Sequence, residues 1–582
     1  MFKKTLNHLR YLKNDRKWQK TRYLSVLTLE GTAKQFYDTH YDDWQVDHHL
    51  FLYDVRDGQQ LDDSPFELLR YYLEKYPKTL HVIVAAEKHI DNIKQVLYFW
   101  NLQNDIRIII VQQFSNQHMQ YLLTAKCIIT NAMIFSNILV KRGSQILVNT
   151  WHGTPLKKMG YAMPGGVMGS WNVIRTLMMT DYLVLPNQYT ADIFKRDYRL
   201  TGLFKGEFVV AGYPRNDVLV NGMLDDQLKK MQVELATDQP VILYAPTWTG
   251  DSATLDGTHN GLEKYLDVLQ KIQANYSNYA IKFKPHPYVY ESILNDDRFA
   301  KYLIPSWLNT NALLAYTAIL VTDYSSLFFD FLVTKRPIIF LDITDNYQSE
   351  RGTYLGSTTL PGPFTTKVSD VIEWIGQIDQ VQINHHEQYH HFVNEFVSED
   401  DGNATQRVGE LVQHELKLKT RGNLSVLVNG EDFSTDKFSP LVAKKISNKV
   451  DVSIVVYVSH LLDNWYGKQF FSNVDDTVSN TRIFVNDDMI IDGNWQQLSI
   501  IGQRVVGTQA FDALLIEQQA SSLHQKTLLT LSDTVVMVPN TQREQWLLAL
   551  NYQYISSIND LAIWQTTAAN PAILSQIKEE LK

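Results

Sequence analysis

Asn149-Thr150-Trp151-His152-Gly153-Thr154-Pro155-Leu156-Lys157-Lys158 directly follows the apolar run Ile146-Leu147-Val148. The run is short and β-branched, which is the pattern of a buried strand. Such a strand delivers His152 to its C-terminal end. Gly153 permits a sharp turn there, and Thr154-Pro155 can open a helix. Open α/β sheets bind ligands at these strand ends, and Lys157 and Lys158 favour an anionic one. A histidine in this place is also explained as a hydrogen-bonded structural group. Three later stretches share its layout: Ala245-Pro246-Thr247-Trp248, Lys282-Phe283-Lys284-Pro285-His286-Pro287 and Thr322-Asp323-Tyr324-Ser325-Ser326.

Outward from this point, short apolar strands recur at intervals long enough for helices. The first series reads Tyr23–Leu29, His49–Tyr53, His81–Ala85, Ile106–Val111, Cys127–Thr130, Ile146–Val148, Asp181–Leu185 and Phe208–Gly212, with a helix over 66–75. A turn-rich joint, Ala211–Asp217, interrupts it. A second series follows at Val241–Ala245, Ala280–Phe283, Ala318–Val321 and Pro337–Leu341. This alternation predicts an α/β fold with two Rossmann-like domains facing a cleft. The glycines of Tyr161–Ser170 predict a mobile loop beside it and match neither a Walker loop nor a dinucleotide fingerprint.

A chain of 582 residues holds two to four domains. Its 45% hydrophobic and 20% charged residues are those of a soluble globular protein. The lone Cys127 excludes an intrachain disulfide framework and a multi-cysteine zinc site. No apolar run reaches the roughly 18–20 residues of a spanning helix, and the first residues lack the features of a signal peptide. The net charge of -9 is unevenly spread: residues 1–22 carry +7 and the remainder -16. The acidic body argues against nucleic-acid binding. In the basic start, Phe2, Leu6, Leu9 and Leu12 fall at helical spacing among lysines and arginines. That pattern suits an anionic membrane surface, or equally a helix packed on the acidic body.

Residues 415–424 turn polar and open a third unit, with strands at Val450–Val456, Thr481–Val485 and Asp533–Val538 and helical patterns near 510–524 and 572–581. It holds no reactive constellation. His385, His386, His390 and His391 could bring two imidazoles to a metal, but no carboxylate or cysteine frame accompanies them. A solvated helix face is the simpler reading, and no metal site is assigned.

Chemistry therefore concentrates at the strand ends. Prolines on both sides of His286 restrict its backbone, which suits either a fixed histidine or a rigid turn. Ser325 and Ser326 precede the apolar helix Leu327–Leu332, whose first N–H groups could meet a phosphate. Asp330 lies one turn beyond Ser326 and is also explained as an ordinary partner for that serine or a lysine.

Taken together, WHGTPLK, YPRND, APTW, KPHP, TDYSSLFFDF, KRPIIF and RGTY stand in the order and spacing of one family. From about Leu50 to Val412 the chain resembles the CDP-glycerol glycerophosphotransferases of teichoic-acid synthesis. The resemblance implies a GT-B-like pair of Rossmann-type domains and transfer of a polyol phosphate from a CDP-activated donor, with release of CMP. It implies that His152 acts on the acceptor hydroxyl and His286 on the donor pyrophosphate. It places donor contacts at Gly153, Thr154, Pro155, Leu156, Arg215, Thr247, Trp248, Pro285, Ser325, Ser326, Asp330 and Arg351. The implied partners are CDP-glycerol, a lipid-linked glycerol-phosphate acceptor and the cytoplasmic face of an anionic membrane, with peripheral attachment. No acidic cradle for magnesium is visible, so no cofactor is assigned. The same machinery could serve CDP-ribitol or a sugar nucleotide, or persist in an inactive scaffold that binds wall polymer. The expected divisions are a basic amphipathic segment at 1–22, an acceptor-side domain at 23–215, a donor-side domain at 216–420 and an accessory α/β domain at 421–582.

Overall fold

The computed structural model describes residues 28–41, 43–134, 138–142, 145–163, 171–200, 204, 206–247, 259–343 and 352–413. Beyond these it describes seven strands of a third sheet and short pieces between 544 and 578. The basic segment 1–22, Trp248, Arg351, the glycines of the 161–170 stretch and the helical pattern at 510–524 lie outside the described residues.

The first sheet contains β1 (Asp47–Asp54), β2 (Leu80–Ala85), β3 (Ile108–Gln112), β4 (Ala125–Thr130), β5 (Ile146–Asn149), β6 (Tyr182–Leu185) and β7 (Glu207–Val210), in the order 3-2-1-4-5-6-7. All its pairings are parallel. Helices cover both faces, so strands such as Leu50-Phe51-Leu52-Tyr53 are buried on both sides and read as continuous apolar runs. The helix Asp63–Lys75 shows the alternative period. Phe66, Leu69, Tyr72 and Leu73 recur at spacings of three and four and are all buried. Each apolar side chain of this kind contributes about 1.5–3 kcal/mol on burial.

The expected strand Tyr23–Leu29 fails at its end. Thr28 caps a helix over Leu29–Thr39, its hydroxyl accepting the Gly31 N–H at 3.1 Å. A threonine followed by Glu30 in the first turn is a helix-start signal, and it overrides the β-branched flavour of the run.

The second sheet contains β8 (Val241–Ala245), β9 (Ala280–Phe283), β10 (Thr317–Thr322), β11 (Ile338–Leu341) and β12 (Phe364–Thr365), in the order 12-11-10-8-9, again all parallel. β12 has two residues, too few for any periodicity to announce it. Strand order reverses between β1 and β4 in the first sheet and between β8 and β10 in the second. Ligand crevices open at such reversals.

Two crossings join these halves. The first is the 3-10 helix Pro214–Asn216 between β7 and β8. The second runs backward, bringing the helix Ala404–Gln413 onto Asp63–Lys75, where the Tyr72 hydroxyl donates to the Gly409 carbonyl at 3.2 Å. The crossings touch. Tyr213 N–H donates to Asp400 Oδ1 at 2.8 Å, and Arg407 Nη2 donates to the carbonyls of Ala211 at 2.7 Å and Glu399 at 2.6 Å. Gly212 has φ +74°, and a Cβ there would lie 2.5 Å from the Glu399 carbonyl oxygen, so no larger residue fits.

The third sheet contains β13 (Asn423–Asn429), β14 (Asp451–Val458), β15 (Asn480–Val485), β16 (Asp488–Gly493), β17 (Thr534–Met537), β18 (Gln553–Ile558) and β19 (Leu561–Gln565), in the order 16-15-14-13-17-19-18. Its four inner strands are parallel and its outer strands antiparallel. Three of the seven, β14, β15 and β17, were expected from their apolar runs.

His386, His390 and His391 lie on the helix His386–Phe396, and His385 joins it to the preceding helix Ile378–Asn384. His385 Nδ1 lies 3.0 Å from the Val381 carbonyl, and His391 Nε2 is 3.1 Å from the Glu395 carboxylate. Among the described residues, no group of three or more His, Cys, Asp or Glu is gathered for a metal. No described helix is long and apolar enough to cross a membrane.

Candidate active site

The two crevices face each other, and a cavity of about 180 Å³ lies between them. Arg56, Asp63, His152, Arg215, Ser326 and Asp330 form much of its wall. Asn149 ends β5 and sets the turn that follows: its Oδ1 accepts the Trp151 N–H at 2.8 Å, and its Nδ2 donates to the Ala132 carbonyl at 3.0 Å. Trp151 is thereby held at φ +49° and Gly153 at φ +153°. Arg56 (φ +47°) and Asp63 (φ +62°) are also left-handed, so strained backbone gathers around this cavity.

His152 Nδ1 is 2.7 Å from the backbone carbonyl of Asn131, at the end of β4. A carbonyl can only accept, so Nδ1 carries the proton and Nε2 keeps a lone pair. The ring stacks on Trp151 at 4.3 Å, which fixes its plane. Burial deep in the cleft lowers its pKa to about 4, and the Arg56 charge adds to the shift. The ring is nevertheless open to the cleft, so water offsets part of that depression. Neutral imidazole is the form at neutral pH.

Asn131 links His152 to a buried ion network. Its side-chain amide donates to Asp63 Oδ2 at 2.9 Å, and its Oδ1 accepts the Arg56 N–H at 3.0 Å. Arg215, on the first crossing, pairs with Asp63 of the first half at 2.9 Å and Asp330 of the second at 2.9 Å. Its guanidinium also lies over the Tyr213 ring at 4.4 Å. Burial pushes the Asp63 carboxyl up, but Arg215, Arg56 and the Ser64 N–H outweigh it and leave the pKa low. For Asp330, burial outweighs Arg215 and the pKa is raised. Arg215 and Asp330 thus stand in the cavity wall with their facing groups committed to each other.

The second half brings the remaining residues. His286 precedes the helix Pro287–Ile293 and accepts the N–H groups of Val289 and Tyr290 on its carbonyl at 2.9 and 3.0 Å. Burial lowers its pKa, and the Lys157 and Arg56 charges of the facing half lower it further. Lys284, beside Pro285, is lowered to about 8, chiefly by burial. The carboxylate of Asp323 accepts the Thr247 N–H on both oxygens, at 2.8 and 2.9 Å, joining the ends of β8 and β10. Ser325 and Ser326 meet the cavity ahead of the five-residue helix Leu327–Phe331.

Gly153, Thr154 and Pro155 are fixed by first-half and joint residues, whereas Leu156 and Lys157 bond to the second half. Gly153 N–H donates to the Tyr213 hydroxyl at 3.2 Å, Asn187 Nδ2 to the Thr154 hydroxyl at 3.2 Å, and the Tyr189 hydroxyl to the Pro155 carbonyl at 3.2 Å. The Leu156 carbonyl accepts the Tyr354 N–H at 2.8 Å, and Lys157 bridges antiparallel to Thr353. The Tyr354 hydroxyl in turn donates to Asp197. Gly352, Thr353 and Tyr354 therefore form a clasp across the cleft. Arg56, Asp62, Asp63, Asn131, Lys284 and Tyr354 escaped assignment from sequence. The only available signals were the DSP triplet at 63–65 and the lysine and tyrosine inside two blocks already noticed.

The sequence pattern of the family described as CDP-Glycerol:Poly(glycerophosphate) glycerophosphotransferase matches residues 35–414. A teichoic acid glycerol-phosphate transferase of Staphylococcus aureus (strain NCTC 8325 / PS 47) is 30% identical over 376 residues, which cover 62% of this chain and 92% of that protein. A teichoic acid poly(glycerol phosphate) polymerase of Staphylococcus epidermidis is 27% identical over 439 residues, covering 72% of this chain but 56% of the polymerase, so the chain spans about half of that relative. Among solved structures, a variant of the wall teichoic acid polymerase TagF soaked with CDPG superposes with a TM-score of 0.55 at 24% identity, covering 70% of this chain and 97% of that one. The likeness extends the shared fold to both facing halves.

Proposed function

Because the chain belongs to the CDP-glycerol:poly(glycerophosphate) glycerophosphotransferase family, we propose that it moves glycerol phosphate from CDP-glycerol to a lipid-linked acceptor or a growing poly(glycerol phosphate) chain. The observation that carries this reading is the fixed tautomer of His152, with Nε2 free to accept a proton in a cavity whose wall also holds Arg56 and Arg215. An acceptor hydroxyl gives its proton to Nε2 and attacks the phosphorus that bears glycerol. A P–O bond forms there, the bond to the CMP phosphate breaks, and CMP leaves with the electron pair. Lys157 supplies positive charge for the pyrophosphate, and His286, Ser325 and Ser326 supply hydrogen bonds. Thr247 and Pro285 shape the donor side, and Arg215 holds the halves in register around it. Alignment of donor and acceptor accounts for much of the remaining barrier.

The test is to incubate the chain with CDP-glycerol, CDP-ribitol and UDP-sugars in the presence of a lipid-linked glycerol-phosphate acceptor. CMP release with extension by glycerol phosphate is expected, and UMP or UDP release without CMP would overturn the reading. His286→Ala is expected to raise KM for CDP-glycerol and lower turnover together. Unchanged values in the folded variant would remove His286 from donor binding.

The lipid-linked acceptor places the reaction at a membrane surface, with residues 1–22 as the reversible contact. Their charge of +7 attracts anionic headgroups, at about 1 kcal/mol for each basic residue near the surface. Vesicles of anionic lipid should bind the full chain in a salt-sensitive manner and bind a chain beginning at Tyr23 less well. Equal binding by both would rule this contact out.

A further inference from the structure

Beside His152, three charged side chains converge without pairing. Arg56 follows β1, Asp62 precedes the helix Asp63–Lys75, and Lys284 follows β9 in the opposite half. Asp62 is 6% exposed and lines the cavity, yet its Oδ1 meets no hydrogen-bond donor among the described residues. Arg56 Nε is likewise buried without an acceptor. Burial raises the pKa of the Asp62 carboxyl, and the charges of Arg56 and Lys284 offset part of that rise. Neither forms an ion pair with it among the described residues.

A buried carboxylate oxygen without a donor is costly, and native structures seldom keep one unless a ligand or water completes it. The chemistry of that ligand is constrained. A phosphate oxygen is an anionic acceptor and cannot satisfy Asp62, whereas a hydroxyl group can donate to it. Arg56, in the same cavity wall, and Lys284 suit a phosphate. One small molecule supplies both features: a polyol phosphate, with its hydroxyl on the carboxylate and its phosphate on the cations. The group stands next to His152, which needs a second hydroxyl of the same unit as its proton donor.

We propose that Asp62 is a specificity-determining residue, accepting a hydrogen bond from a non-reacting hydroxyl of the acceptor's terminal polyol phosphate while another hydroxyl of that unit faces His152. This rests on the transferase reading above and adds the chemical group by which the acceptor is recognised. The neighbouring phosphate of the acceptor lies against Arg56 and Lys284, whose charges offset its repulsion by the carboxylate. Asp62 therefore sorts acceptors by their hydroxyl pattern, and the two cations bind any of them.

The test uses a soluble primer ending in glycerol phosphate and the same primer ending in 1,3-propanediol phosphate. The second keeps the phosphate and the primary hydroxyl and lacks only the secondary one. With CDP-glycerol as donor, the wild-type chain is expected to prefer the glycerol primer by about 10- to 100-fold in kcat/KM. Asp62→Ala should bring the ratio near one. Asp62→Asn keeps the shape and an accepting oxygen but loses the charge, so it should retain part of the preference. It also serves if the alanine variant does not fold. A full wild-type ratio in either variant overturns the proposal. Calorimetric titration of glycerol 3-phosphate and 1,3-propanediol phosphate without donor gives a second reading. A binding preference that disappears in Asp62→Ala supports the hydroxyl site even if no transfer from CDP-glycerol is seen, in which case the transferase reading fails alone. An equal preference in wild type and variant overturns the site whatever the activity.

Discussion

Replacing His152 by alanine is expected to lower turnover by about 10²–10⁴-fold, the usual yield of general-base catalysis. The variant keeps the cavity's cations and the donor side, so KM for CDP-glycerol should move much less than kcat. The wild-type pH profile tests the same assignment. The folded-state pKa of His152 is depressed to about 4, so the imidazole is already neutral at neutral pH. Accordingly, kcat/KM should be flat near neutrality and fall on acidification, with its midpoint between about 4 and the ordinary histidine value of about 6.5. Near-normal turnover by a folded His152→Ala protein would remove it from the mechanism.

Arg215→Met is expected to destabilise the protein by about 3–5 kcal/mol, because it strands two buried carboxylates. The side chains of Asp63 and Asp330 are 3% and 8% exposed, so water cannot take the guanidinium's place. Urea unfolding measures the loss, and a change below about 1 kcal/mol would show that Arg215 does not hold the network. The pH dependence has a definite sign. In the wild type Asp63 is held below its ordinary value, so its contribution is present above that value and is lost as pH falls through the depressed one. Without Arg215 the stranded carboxyls rise above their unfolded values. The variant then binds more protons when folded and loses stability as pH rises, so its deficit should narrow in acid. Adding Asp63→Asn and Asp330→Asn to Arg215→Met should recover part of the loss.

The two parallel sheets were legible because burial on both faces writes itself as unbroken apolar runs such as Val82-Ile83-Val84 and Ile319-Leu320-Val321. The placement of His152 and His286 beyond strand ends was legible because each lies three residues past the end of its strand, β5 or β9. Thr28-Leu29 misled because one apolar turn resembles a strand end until the cap is weighed. The ion network was invisible for a different reason. Arg215 meets partners 152 and 115 residues away in sequence, and no local spacing encodes that meeting. Asp62 and Asn131 carry no motif either, since their roles come from what is absent beside one and from a backbone carbonyl of the other.

The paired crossings at Gly212 and Glu399 have a mechanical consequence. Two chain segments strapped side by side, with the Tyr213 N–H tied to Asp400 and Arg407 pinning both backbones, form a flat strap. A strap bends readily about one axis and resists twist and sideways slip. Any opening of the cleft about this joint would follow a single arc, along which the rims carrying His152 and Ser325 would separate and return on the same path. Registration between the reacting groups is then a property of the joint, restored at each closure without the substrates having to select it.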